Sequence, residues 1–136
     1  MLDAHAAAVL ALLDAVNDPP PLNVHDGKVP AGVDPRTSPY VLAYFAAHMP
    51  GRTFTGVSHE FQLRITLHCV GGSTRAARMV RDRVAVALID VAPTVAGRQC
   101  DRIRVDEGGQ EPQPNEVTGS TVVDYVETYV LRSIPA

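Results

Sequence analysis

Residues 61–88 read FQLRITLHCVGGSTRAARMVRDRVAVAL, and their periodicity decides the fold. In the first part Phe61, Leu63, Ile65, Leu67 and Cys69 alternate with Gln62, Arg64, Thr66 and His68, and Glu60 continues the polar set. Successive side chains of a strand point to opposite faces, so this alternation specifies a half-buried strand over about 57–70 with Phe61 through Cys69 lining the core. One wet face is the habit of antiparallel sheets. Gly71-Gly72 ends the strand, and Ser73 offers a hydroxyl that caps the free N–H groups of a following helix. From Thr74 the period changes: Ala77, Val80, Val84, Leu88 and Val91 recur at helical spacing, giving a helix over about 74–91 that Pro93 stops.

Working outward, Leu2, Ala6, Val9, Leu13 and Val16 form a second helical stripe over 2–16, widened by Leu10 and Leu12, and the prolines from Pro19 end it. A short strand at Leu22–His25 leads to an Asp26-Gly27 turn and a Pro/Gly-bearing loop at about 27–38. Tyr40–Phe45 is a β-prone run after Pro39, and His48-Met49-Pro50-Gly51 a turn. A strand at about 100–106 precedes a second long loop, 107–119, where Gly108, Gly109, Pro112, Pro114 and Gly119 argue against a packed element. Thr121–Arg132 is a final strand, apolar on both faces. Val122, Val126 and Val130 lie on one side and Tyr125, Tyr129 and Leu131 on the other, and the pattern leaves open which side is inward. The expected fold is α/β of the α+β type: one domain over 1–136, with a single mainly antiparallel or mixed sheet of about five strands and two helices on one face.

Composition narrows the function. With 136 residues, 46% of them hydrophobic, the chain has enough apolar side chains for one core, and 5% aromatic content means a core of Val, Leu and Ala. The net charge of -3 lacks the basic balance of a nucleic-acid binder. The two cysteines, Cys69 and Cys100, are read as reduced, buried thiols. The first residues lack the basic-then-apolar order of a signal peptide, and no apolar run approaches the roughly 20 residues of a membrane span. No membrane partner is therefore expected.

The residues also decline the usual catalytic patterns. His5, His25, His48, His59 and His68 are scattered, and no CxxC pair supports a metal site. A GxSxG elbow is missing. Gly71-Gly72-Ser73-Thr74 lacks the lysine of a phosphate loop, since Lys28 lies elsewhere. No catalytic, cofactor-binding or metal residue is expected, and no cofactor. What stands out is a charge split. Arg75, Arg78, Arg81 and Arg83 crowd the second helix, against Asp82 alone. Asp106, Glu107, Glu111, Glu116, Asp124 and Glu127 follow with no Lys or Arg among them. Each cluster reads as a solvated face or as one half of a paired interface.

The order LDAHAAAVLALLDAV (2–16), LNVHDGKVP (22–30), SPYVLAYF (38–45), HEFQLRITLHCVGGSTRAARMVRDRVAVAL (59–88) and STVVDYVETYVLRS (120–133) resembles the tail-terminator, or tail-completion and head-to-tail joining, proteins of long-tailed bacteriophages. The resemblance implies a non-enzymatic virion protein made in the host cytoplasm and placed at the head-proximal end of the tail. It implies a homo-oligomeric ring, usually a hexamer, that caps the tail tube, stops tube polymerisation and meets a head-side connector or stopper protein, while DNA passes through the bore without specific binding. On that reading Arg75, Arg78, Arg81, Asp106, Glu107, Tyr125 and Tyr129 are candidates for subunit or partner contacts, and Glu111 and Glu116 are expected to face the bore. The alternatives are another connector or minor tail protein, a small ligand- or peptide-binding α/β module, or a small hydrolase or isomerase using a His and an acid.

Overall fold

A computed structural model describes residues 1–16, 20–48, 60–106, 113–117 and 120–136. Two helices, α1 (Leu2–Asp14) and α2 (Thr74–Leu88), accompany strands β1 (Val24–Asp26), β2 (Tyr40–His48), β3 (Phe61–Gly71), β4 (Arg98–Cys100), β5 (Arg104–Val105), β6 (Gln113–Val117) and β7 (Ser120–Pro135). The strands join in one mixed sheet of order β1-β2-β3-β7-β4, with β5 and β6 also paired to β7. Among the described residues only the β1–β2 pairing is parallel. The expected α+β architecture therefore holds, with seven strand segments in place of about five.

The alternation of β3 does what its sequence specifies. Phe61, Leu63, Ile65, Leu67 and Cys69 are buried, and with Val9 and Leu13 of α1 and Val80, Val84 and Leu88 of α2 they form a single core cluster. Both helices therefore cover the same face of the sheet. The two-sided apolarity of β7 is settled by its register with β3. Leu63 stands opposite Leu131, Ile65 opposite Tyr129 and Cys69 opposite Tyr125, and residues directly opposite share a face. The Tyr125, Tyr129 and Leu131 side thus turns inward. Val122, Val126 and Val130 lie half-buried on the face that no helix covers.

The turn from β3 to α2 is tight. A methyl group on Gly71 would lie 2.8 Å from Ala76 Cβ and 2.9 Å from Ala77 N, and one on Gly72 would lie 2.8 Å from Arg36 Cα. The glycines thus let the helix start against the strand and let the 27–38 segment cross the turn. Ser73 Oγ accepts from Ala76 N at 3.1 Å, the expected cap. Helix α2 ends at Leu88, earlier than the apolar stripe suggested. Ile89 is already extended, Asp90 takes a left-handed φ of 63°, and its N–H is drawn off to Ile103 O at 2.9 Å.

Two expectations need correction. The loop at 107–119 contains strand β6, whose Gln113–Val117 backbone pairs antiparallel with Ser120–Asp124. Among the described residues β6 has β7 as its one paired neighbour, and an edge strand is where a proline is tolerated in a sheet. The region at 100–106 is two short segments, broken where Ile103 turns fully into the core. The 27–38 segment is irregular, as expected, and Gly27 and Gly32 adopt φ of 71° and 87°. The turn expected after His48 and the residues from Gly51 to His59 lie outside the described residues.

Candidate functional site

The residues that sequence reading set aside for partners divide into committed and available groups. Arg81 is committed. Its Nε and Nη2 donate to the two carboxylate oxygens of Glu127 at 2.6 and 2.9 Å, in the bidentate geometry that guanidinium and carboxylate favour. Glu127 is 2% exposed and sits on the core-facing side of β7, so this pair anchors α2 to the centre of the sheet. The Glu127 hydrogen bond drives the Arg81 pKa well above its ordinary range. Tyr129 is committed as well: it is fully buried, its hydroxyl lacks a hydrogen-bond partner among the described residues, and burial raises its pKa. Arg81 and Tyr129, both expected to meet a partner, are thus held by contacts within the subunit. The helical spacing that gathered the arginines could not show that one of them turns inward.

Arg75 and Arg78 are exposed on the outer surface of α2. Beside them Met79 is 56% exposed, and two turns further along the same stripe, past exposed Asp82, Val86 is 84% exposed. Large apolar side chains standing clear of the core beside arginines mark a surface suited to a protein partner. Asp106, on the uncovered sheet face, lies 3.6 Å from Arg64 in an exposed ion pair, and Tyr125 is half-buried at the core margin. Glu107 and Glu111 lie outside the described residues. Glu116 is in β6, opposite Thr121.

The first half of α2 also forms one wall of a groove of about 310 Å³, lined by Ala76, Met79, Val80 and Arg83 together with the 20–23 and 37–39 segments. Its floor is mostly carbon, and Asn23 Nδ2 donates to Ser38 Oγ at 2.9 Å to hold its two outer segments together.

Two polar clusters escaped sequence reading. His5 is fully buried within the α1 stripe. Its Nδ1 must donate to the Met1 carbonyl at 2.7 Å, which leaves Nε2 to accept from the Ser133 hydroxyl at 2.7 Å. Arg98 Nε donates to the same Ser133 oxygen at 3.1 Å, so every polar atom of this contact is matched, as a buried network requires. The only hint was a histidine one turn before Val9 on the apolar face. On the uncovered face, His68 Nδ1 lies 2.8 Å from Asp124 Oδ2, with Tyr44 edge-on to the imidazole at 5.6 Å. Burial pushes the Cys69 thiol up to about 12, and both cysteines are free thiols. Among the described residues no cluster of His, Cys, Asp and Glu is arranged to hold a metal ion, and no helix is long and apolar enough to cross a membrane.

These features define a structural class: an α+β domain whose polar groups are spent on locking helices to a sheet, and whose outer helix presents a mixed apolar and basic surface. The family model described as tail completion protein gp17 matches residues 2–129, and the chain belongs to that family. It is a structural protein of the phage virion tail. No curated protein matches the chain. Solved structures share the fold, among them the following two. One, a protein carrying no functional description, is 16% identical with a TM-score of 0.72, the match covering 98% of this chain and 95% of that one. The other, from the virion of a native gene transfer agent particle, is 15% identical with a TM-score of 0.65, covering 94% of this chain and 92% of that one.

Proposed function

We propose that this protein forms a closed ring of identical subunits that caps the tail tube, halts its polymerisation and presents a surface to a head-side connector or stopper protein. The observation that carries this reading is the outer face of α2, where exposed Met79 stands beside Arg75 and Arg78 with exposed Val86 two turns further on, in a chain whose 105–131 segment has no lysine or arginine. One patch of each kind on every copy favours a heterologous contact, in which one face of a subunit meets a different face of its neighbour, and such contacts form a ring when the rotation between copies closes. Charge sets the orientation and the apolar side chains supply burial. The gene transfer agent structure supports the reading, because a chain of this fold occurs in a virion. The role is non-catalytic, and passing DNA meets no sequence-reading element.

The test is the solution mass of the full chain across a concentration series, alone and with the tail tube protein. A discrete multimer, and tubes that stop growing when it is added, are the expected results. A protein that stays monomeric in both mixtures and leaves tube length unchanged refutes the ring. A second reading, a peptide-binding module, is favoured only by the α2 groove and would leave the chain monomeric with its partner bound.

A further inference from the structure

Strand β2 is longer than the strand that covers its outer edge. β1 pairs with Val41–Ala43, and the ladder ends where Gly27 N donates to Ala43 O at 2.8 Å and a φ of 71° at Gly27 turns the chain away. Beyond that point β2 continues to His48, in unbroken register with β3 on its other side. Val41 N donates to Asn23 O, so the odd-numbered residues of β2 aim their backbone groups toward the β1 side. Phe45 and Ala47 do the same past the end of β1, and among the described residues no strand pairs with them there. Open edges are normally blunted by a lysine, a proline or a bulge. From Tyr40 to Ala47 there is no charged residue and no proline, and the register with β3 holds no bulge. Exposed Leu2 and Tyr44 lie beside this edge in a notch of about 390 Å³, with Ala6, Ala43 and Phe45 and with Asp3, Asp26 and Gly27 toward β1.

We infer that this edge pairs with the same edge of a second copy, antiparallel and about a two-fold axis at Ala46, so that one sheet runs through two subunits. Three observations select that occupant. The first is hydrogen bonding. In a pair centred on Ala46, Phe45 of each copy stands opposite Ala47 of the other. Both residues aim their N–H and C=O across the seam, so each donor there meets an acceptor. The second is bulk. On the helix side Phe45, already packed at the core margin, meets the small Ala47, and on the open side Ala46 meets Ala46, with no like charges face to face. The third is the state of the opposite side of the sheet. There β4 has three residues and β5 two, Arg98 N donates to Val95 O, and Ile103 between the strands is bonded to Asp90 N and Val91 O. That broken edge is a poor match for β2, whereas a second β2 edge matches it residue for residue.

The contact is isologous and closes at two copies, which withdraws the edge from open-ended strand addition. It is independent of the head-to-tail contact proposed above and doubles whatever that contact builds.

Cross-linking and sedimentation of the full chain test it. Residues opposite each other in a non-hydrogen-bonded antiparallel pair have Cα atoms about 4.5 Å apart, within disulfide reach. In a Cys100→Ser background, Ala46→Cys oxidised gently should therefore give a disulfide-linked dimer of identical chains. Gln99→Cys, exposed on the opposite edge, should not. Ala47→Pro removes an outward N–H and no bond within the subunit, so it should leave the thermal melt unchanged and halve the sedimenting mass. Where that variant melts early, Ala46→Lys takes its place: it sets like charges face to face and should halve the mass at low salt. If the unsubstituted protein is multimeric but Ala46→Cys does not link, or the edge variant keeps the full mass, the β2 contact is wrong and the ring stands. A linked protein whose mass never exceeds that of two chains supports this contact and refutes the ring. A protein that is monomeric at every concentration refutes both.

Discussion

Replacing Arg81 with Met should unfold this protein more readily than any other surface-reaching substitution on α2. The substitution keeps the aliphatic stem and removes the guanidinium, leaving Glu127, 2% exposed, as a buried carboxylate with no counter-ion. Breaking a buried pair by deleting one partner costs about 3–5 kcal/mol, against about 0–1 for an exposed pair. Arg81 keeps 29% of its side-chain exposure, so the lower end, about 3 kcal/mol, is expected. The reverse deletion is milder. In Glu127→Leu the arginine retains Asp82, which its Nη1 reaches at 3.2 Å, and solvent. We expect a cost of about 1 kcal/mol there, and about the same for the double variant, because neither then leaves a buried charge unpaired. The sum of the single costs is thus about 4 kcal/mol against about 1 for the pair removed together, a coupling of about 3 kcal/mol. With a urea slope of about 1.5 kcal/mol per molar, Arg81→Met lowers the unfolding midpoint by about 2 M. Fluorescence or circular dichroism in urea measures all three. Additive costs, or an Arg81→Met midpoint within about 0.3 M of the unsubstituted protein, would refute the assignment of this pair as the anchor of α2.

Ile65→Asp places a charge at a fully buried position and should cost several kcal/mol, on the order of 4, whereas Gln62→Asp on the opposite face should cost under about 1; equal urea midpoints would mean the strand faces are misassigned. Gly72→Ala should cost about 1–3 kcal/mol and loosen the 27–38 segment, since the new methyl would meet the Arg36 backbone; the readout is the midpoint together with hydrogen exchange of Asp34–Ser38, and no change in either would overturn the close approach. Iodoacetamide at mild alkaline pH should label Cys100 in the native protein and spare Cys69 until urea is added. Because the Cys69 thiol rises from 9.0 to about 12 on folding, the folded chain holds its proton longer than the unfolded one. Stability should therefore fall as pH climbs from about 9 toward 12, and fall less steeply in a Cys69→Ala variant, where the buried Tyr129 hydroxyl still loses its proton later in the folded chain than in the unfolded one.

Much of the fold was legible because its two periods are clean. The alternation from Phe61 to Cys69 and the helical stripe from Ala77 to Leu88 each admit one secondary structure and one buried face, and burial of those faces leaves one way to stack them. Gly71-Gly72-Ser73 marked the turn between them for local reasons, close approach and capping. The family was legible too, since it resides in the order of these elements along the chain. Other features were fixed by long-range pairing. The face of β7 that turns inward follows from its register with β3, which its own two-sided apolar pattern does not encode. Strand β6 exists because Ser120–Asp124 offers a ladder to a Pro-bearing segment that has little strand propensity of its own. The same holds for the arginines. Arg75, Arg78 and Arg81 look alike along the helix, and only the approach of Glu127 from a strand far along the chain turns Arg81 into a core contact while leaving the other two exposed on the outer surface. Local preference is written in neighbouring residues; the partner of a buried charge is set by which segments the core brings together.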